Sequence, residues 1–244
     1  MQDQNKHNLD KSPERIKRMF DSIASWYDFL NHFFSLGLDC VWRRRVAGLV
    51  ISALGSGGVG SMLDVCCGTG DLIREFMRQN NSDGEFNGID FSEAMIEIAR
   101  KKLPAISNRL IVGDATELPF DDGTFNVVSC AFGLRNICEM ERGLSEMIRV
   151  CKQNGMVAIL EFAMPKNYLI KYPYQLYFKC ILPRIGEIFA RNHDGAYNYL
   201  PQSVIEFDNP IKISNKMQQL GITEIKIVPM TFGIANLIYG KKIF

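Results

Sequence analysis

Apolar positions along the chain change period several times, and each change predicts an element. Ile16, Met19, Phe20, Ile23 and Tyr27 recur every three or four residues, the signature of an amphipathic helix. Ser12-Pro13-Glu14 supplies its start: a capping residue, a proline in the first turn, then an acid. A second short helix is expected over 39–53, before the glycine-rich break at 55–60. The grammar then shifts to short apolar runs at 62–65, 86–90, 110–112, 125–130 and 156–162, which read as buried strands. Between them lie helical patterns: Leu72, Ile73, Phe76 and Met77 after a cap at Asp71; Met95, Ile98 and Ala99 after Ser92; and Leu144, Met147 and Ile148 within 139–151. A helix over 211–220 and strands at 222–228 and 234–241 complete the chain.

Strands alternating with such helices predict βαβ units, hence a doubly wound, mostly parallel seven-stranded α/β sheet with helices on both faces. Ligands of these sheets bind at the carboxyl ends of the strands. Chemistry is therefore expected just after Val65, Ile89, Val112 and Cys130. Residues 1–12 read as a disordered polar tail, and 13–244 as one domain. Tyr168, Tyr172, Tyr174, Tyr177, Phe178, Ile181, Leu182, Ile185, Ile188, Phe189, Tyr197 and Tyr199, mixed with lysines and prolines, mark a helical insertion over about 164–205.

Composition narrows the function classes. The chain has 244 residues and a net charge of +1, without the concentrated Lys and Arg that nucleic acid requires. Seven cysteines without Cys-x-x-Cys spacing, and only His7, His32 and His193, argue against a disulfide framework and against a metal site. The polar start offers no apolar leader, and no apolar run approaches the ~20 residues that span a bilayer. The expected location is the cytoplasm, with membrane contact at most peripheral.

The loop after the first strand is the first chemical candidate. Gly68 and Gly70 permit a tight turn and close approach to a ligand, and Asp90 closes the second strand, 20 residues after Gly70. A carboxylate there accepts hydrogen bonds from a ribose diol. The dinucleotide fingerprint wants a third glycine where this chain has Ile73, and Asp71 opposes a pyrophosphate at the helix start. The acids Asp64, Asp71, Asp90 and Asp114 suit a cationic sulfonium cofactor better than NAD. Asp114 can accept from an adenine amino group, and the small Ala115 leaves room for the ring.

Several motifs carry a resemblance. Met19-Phe20-Asp21-Ser22-Ile23-Ala24, then Tyr27-Asp28, Asn31, Ser35 and Trp42-Arg43-Arg44 form one block. Asp64-Val65-Cys66-Cys67-Gly68-Thr69-Gly70-Asp71, Phe132-Gly133-Leu134-Arg135-Asn136 and Leu160-Glu161-Phe162 with Pro165 form others. Leu182-Pro183-Arg184-Ile185-Gly186 and Tyr199-Leu200-Pro201-Gln202-Ser203 fall in the insertion. Together the chain resembles the C-methyltransferases of quinone biosynthesis, which methylate demethylmenaquinol and its ubiquinone-pathway counterpart. The resemblance implies a class I, Rossmann-like methyltransferase fold using S-adenosyl-L-methionine. It implies cofactor contacts at Thr69, Asp90, Asp114 and Ala115, beside Gly68 and Gly70. Departures are Ala131, where some members have Ser; Lys152-Gln153-Asn154-Gly155 in place of Lys-Pro-Gly-Gly; and Ile238, where the family often has His.

The same resemblance implies a polyprenyl quinol as substrate, with conversion of demethylmenaquinol to menaquinol as the leading reading. A benzoquinol of ubiquinone biosynthesis, another small-molecule acceptor, or a non-enzymatic binding module are the alternatives. An apolar tail gains about 0.8 kcal/mol per buried CH₂, which the aromatic insertion suits; those aromatics equally suit a homodimer surface. Arg135 and Asn136 are the candidates for holding a developing phenolate. Arg135 stays protonated, so its expected role is to stabilise or to position a water rather than to act as the base. Tyr27, Asp28, His193 and Asp194 are weaker candidates for substrate contact or proton acceptance.

Overall fold

A computed structural model describes residues 10–80, 83–165, 167–176, 196–207 and 209–243. The strands are β1 (Gly60–Val65), β2 (Gly84–Asp90), β3 (Leu110–Val112), β4 (Phe125–Ala131), β5 (Cys151–Phe162), β6 (Ile222–Met230) and β7 (Ala235–Lys242). They form one seven-stranded sheet in the order β3-β2-β1-β4-β5-β7-β6. β1 to β5 pair in parallel, whereas β7 runs antiparallel to both of its neighbours. The doubly wound, mostly parallel sheet expected from the sequence is what forms. β5 begins five residues earlier than the apolar run suggested, because Asn154 (φ 60°) and Gly155 make a bulge and the pairing slips between Phe125 and Val127.

The pleat sends alternate residues of β1 into two cores. Met62 joins Trp42, Val46 and Val50 of α2 (Leu38–Leu54) with Ile73 and Phe76 of α3 (Asp71–Gln79) and Ile96 and Ala99 of α4 (Glu93–Lys102). Leu63 and Val65 join Leu144, Met147 and Ile148 of α5 (Met140–Val150) and, from a C-terminal helix (Pro210–Gln219), Ile213 and Met217. Ser92 caps α4 by accepting the Met95 amide at 3.2 Å. Asp71 does not cap α3 as expected. Gly70 holds the N-cap position at φ 83°, and the Asp71 carboxylate turns instead to Lys102 and Arg74.

α1 (Pro13–Ser35) packs against α2 and α4. Its first turns bury Ile16 and Met19 against Tyr199 of α7 (Ala196–Glu206), which follows α6 (Tyr168–Leu176); the helix at 210–219 is α8. Asp10 and Ser12, read as part of the tail, are bonded to each other through the Ser12 amide, and Arg15 donates to the Asp10 carbonyl. Residues 1–9 and the centre of the expected insertion, 177–195, lie outside the described residues. Among the described residues, no helix is long and apolar enough to cross a membrane.

One buried acid in this frame has a consequence for stability. Asp64 is 1% exposed, and the Ser129 hydroxyl donates to it at 2.5 Å. Burial pushes its carboxyl up to about 7, against that hydrogen bond. An unfolded aspartate loses its proton near pH ~3.9. Between roughly pH 4 and 7 the folded protein therefore binds more protons than the unfolded chain, so this group's contribution is fully present below that window and is lost as pH rises through it. Asp64→Asn, which does not titrate, should gain stability relative to the parent across the window. The scale is on the order of 1.4 kcal/mol per unit of displaced pKa. Denaturant unfolding at both ends of the window checks this, and a pH-independent difference between the two proteins would contradict it.

Candidate functional site

The loops leaving β1, β2, β3 and β4 meet at the carboxyl end of the sheet. Cys66 (φ 56°), Gly68 (φ 55°) and Gly70 (φ 83°) reverse the chain after β1. At Gly70 the positive φ favours glycine, and a side chain there would press on the end of the Leu103 side chain, 2.7 Å away. The Gly68 amide donates to one oxygen of Asp90 at 2.8 Å, and the Ser92 amide donates to the other at 2.9 Å. Burial raises the Asp90 pKa, while these amides favour the charged form. Each oxygen keeps acceptor capacity for a further donor.

A cavity of about 320 Å³ opens above these loops, lined by Gly68, Asp90, Asp114, Ala115, Ala131, Phe132 and Gly133 and covered by Ile16, Lys17, Phe20 and Tyr27 of α1. Ala115 is buried, whereas Asp114 is exposed and accepts the Thr116 amide at 2.8 Å. The expected acid cluster divides in two: Asp90 and Asp114 line the cavity, but Asp64 and Asp71 do not. Asp64 lies within the sheet, and Asp71 is bonded to Lys102 at 2.6 Å. Thr69 does not line the cavity. It is 2% exposed, and its hydroxyl donates to Asp28 at 2.5 Å and accepts from Lys102 at 3.0 Å. Gly70 likewise shapes the loop from behind. The residues present fit a nucleoside carrying a cation: a carboxylate with a free acceptor site on each oxygen suits a vicinal diol, and the small Ala115 leaves room for a flat base.

A second cavity of about 270 Å³ adjoins the first and shares Phe20, Tyr27, Phe132 and Asn136 with it. Its other walls include Leu30, Asn31 and Phe34 of α1, Trp42 and Arg43 of α2, Phe162, Arg135, Tyr174 and Tyr199. Phe132 and Phe162 stack with centroids 4.4 Å apart, and Trp42 meets Phe162 edge-on at 5.9 Å. The Trp42 indole N–H donates to Thr231 at 2.8 Å, which fixes the ring. Arg43 is buried and paired with Asp39. Burial pushes the Tyr27 phenol up, against a hydrogen bond with Asn31, so it is a neutral donor at ordinary pH.

Arg135 and Asn136 stand on a 3-10 turn (Leu134–Asn136) beyond β4. Arg135 is 5% exposed; its Nη1 donates to Glu161 at 2.9 Å and also to the Phe132 carbonyl. Burial opposes its charge, but Glu161 and neighbouring groups more than offset this, and the guanidinium stays protonated. Its Nε–H is buried and has no hydrogen-bond partner among the described residues. Asn136 accepts from the Tyr199 hydroxyl at 3.0 Å and holds the Phe132 carbonyl only loosely, at 3.4 Å.

Of the expected site residues, Gly68, Asp90, Asp114, Ala115 and Asn136 gather around the first cavity, and Arg135 and Asn136 reach the second. The sequence linked the apolar tail of the acceptor to the aromatic insertion, and its ring oxygen to Arg135 and Asn136. Tyr174 and Tyr199 do line the second cavity, but Tyr168, Leu169, Tyr172 and Leu176 are exposed. The side chains of Tyr177, Phe178, Ile181, Leu182, Ile185, Ile188, Phe189, Tyr197, His193 and Asp194 lie outside the described residues. Most of the second cavity's wall comes from α1 and α2. Its signal in the sequence was the polar Asn31 and Arg43 set among apolar helix positions.

A model of the ubiE/COQ5 methyltransferase family matches residues 8–242. The ubiquinone/menaquinone biosynthesis C-methyltransferase UbiE of Citrifermentans bemidjiense is 40% identical over 238 residues, 96% of this chain and 99% of that protein. The demethylmenaquinone methyltransferase of Staphylococcus haemolyticus is 37% identical over 230 residues, 94% of each chain. Among solved structures, a methyltransferase from Thermotoga maritima described as a possible histamine N-methyltransferase shares the fold, with a TM-score of 0.61 at 17% identity over 92% of this chain and all of that one.

Asp90→Ala should weaken S-adenosylmethionine binding at least tenfold, since each hydrogen bond to a charged group is worth about 1.5–3 kcal/mol. Isothermal titration calorimetry on the folded variant measures this. An unchanged affinity would remove Asp90 from the site.

Proposed function

The chain belongs to the ubiE/COQ5 methyltransferase family, and from that premise we propose that it transfers the methyl group of S-adenosylmethionine to a ring carbon of a polyprenylated quinol, converting demethylmenaquinol to menaquinol. The observation that carries the proposal is the pair of adjoining cavities. One offers a diol-binding carboxylate at the strand ends, the other is aromatic, and Phe20, Tyr27, Phe132 and Asn136 border both. Asp90, Asp114, Ala115 and Gly68 hold the donor, which supplies an electrophilic methyl on a positively charged sulfur.

The chain's own residues do the rest. Phe132, Phe162 and Trp42, packed on one another, form an aromatic wall against which a flat ring lies. A ring carbon becomes a good nucleophile only when its neighbouring hydroxyl is partly deprotonated. The Nε–H of Arg135 is the group placed to stabilise that oxygen. A buried donor without a partner carries a cost of about 1–3 kcal/mol, which a bound phenolate relieves. Because Glu161 keeps Arg135 charged, the guanidinium stabilises the oxyanion and does not take its proton. That proton passes to solvent. When the ring carbon gives up its own proton to restore the aromatic ring, the quinol oxygen is reprotonated, so that one proton is released for each methyl transferred. Leu36 lines the cavity and is 88% exposed, so the cavity reaches the surface at the end of α1, where Trp26 and Phe33 are also exposed. A prenyl tail leaves by that mouth, toward a membrane surface.

The names of the relatives cover both menaquinone and ubiquinone biosynthesis, and the second cavity accepts a benzoquinol on the same grounds. Mass spectrometry of the quinone pool separates these readings. Deletion of the gene should leave demethylmenaquinone in place of menaquinone, and restoring it should reverse the change. A normal menaquinone pool with an accumulated benzoquinol precursor would favour the ubiquinone reading, and an unaltered pool would contradict both.

A further inference from the structure

Helix α1 carries an aromatic–acid pair twice, Phe20-Asp21 and Tyr27-Asp28, seven residues apart. That spacing is two helical turns, so the two aromatics share one face and the two acids share another. Phe20 and Tyr27 each line both cavities. The acids reach the loops beneath. Asp21 accepts the Ser92 hydroxyl at 2.5 Å, and Asp28 accepts the Thr69 hydroxyl at 2.5 Å and Lys102 at 2.9 Å. Lys102 extends this contact to Asp71. Ser92 donates its amide to Asp90, and Thr69 follows Gly68, which does the same. Each acid on α1 therefore grips a residue at, or next to, one that holds the donor-binding carboxylate. Asp21, Asp28, Thr69 and Lys102 line neither cavity, so their side chains act through what they hold.

We propose that Asp21 and Asp28 are positioning residues that fasten α1 as a lid over the donor, and that in doing so they set the aromatic wall shared by donor and acceptor. The inference rests on the reading of the strand-end cavity as the donor site. These fastenings are hydrogen bonds and ion pairs at a part-exposed surface, with Lys102 and Asp28 side chains 22% and 31% exposed. They can open for donor exchange without disturbing either core of the sheet. Once they close, Phe20 and Tyr27 return to one place above the strand ends.

The test compares the parent with Asp28→Asn, Thr69→Val and the double variant, using stopped-flow release of S-adenosylmethionine and steady-state kinetics per binding-competent site. Each single variant should release the donor at least tenfold faster and raise KM for the quinol. The double variant should be little worse than either single one, because Asp28→Asn removes the charge and Thr69→Val the hydroxyl from one contact that Asp28, Thr69 and Lys102 share. Hydrogen exchange should quicken at amides 20–30 and stay unchanged in β1 and β4. If Asp28→Asn fails to fold, Thr69→Val, which removes only a hydroxyl, carries the test. Folded variants with parental release rates and parental KM would overturn the lid alone. A parent protein that binds no S-adenosylmethionine would overturn the donor-site reading and the lid with it.

Discussion

The Asp90 carboxylate is the tie on which the site depends. It takes one amide from the loop after β1 and one from the loop after β2, and so joins two crossovers that the sheet alone leaves side by side. Ser92 then does three things from one position: its amide binds Asp90, its hydroxyl oxygen caps α4, and its hydroxyl proton goes to Asp21 of α1. The donor-binding loop, the helix behind it and the helix above it are all referred to the same acid. Burial makes the carboxylate's charge costly, and the two amides sustain it. In the function proposed, this carboxylate gives the nucleoside a fixed address.

From that address the acceptor geometry follows. Phe132 (φ 59°) holds a left-handed backbone conformation at the end of β4, a strained position for a non-glycine residue and one that places its ring between the two cavities. Phe162, at the end of β5, stacks on it, and Trp42 closes the corner. Arg135 is held by Glu161 through Nη1, while its Nε–H finds no partner among the described residues. A dry aromatic cavity with one buried, permanently charged donor is suited to stabilising a phenolate, since such charges act more strongly away from water. In the function proposed, methyl donor and ring acceptor meet where the walls of the two cavities coincide.

Much of this was legible in the sequence, and the remainder was hidden for physical reasons. Period and spacing gave the parallel sheet, the loop at Gly68 and Gly70, and Asp90 at the end of β2. These are local patterns, or follow from the rule that such sheets bind ligands at strand ends. What periodicity does not carry is contact between distant positions. Thr69 reads as a cofactor contact beside Gly68, yet its hydroxyl is turned to Asp28, 41 residues away, and Trp42 is anchored by Thr231, 189 residues away. The four acids looked alike in the sequence because they fall near strand ends. Only their surroundings separate Asp64, sealed in the sheet, and Asp71, paired with Lys102, from the two that face the cavity. The apolar stripe of α1 announced a helix but not that its polar residues would fasten it across the donor site.

The most direct test of this account is a crystal structure of the protein with S-adenosylhomocysteine and a short-tailed demethylated quinol. The account predicts both ribose hydroxyls on Asp90, the base against Ala115, and the quinol ring against the wall formed by Phe132, Phe162 and Trp42 with one oxygen on the Nε of Arg135. A ribose bound away from Asp90, or a quinol ring outside the cavity walled by Phe132, Phe162 and Trp42, would contradict it.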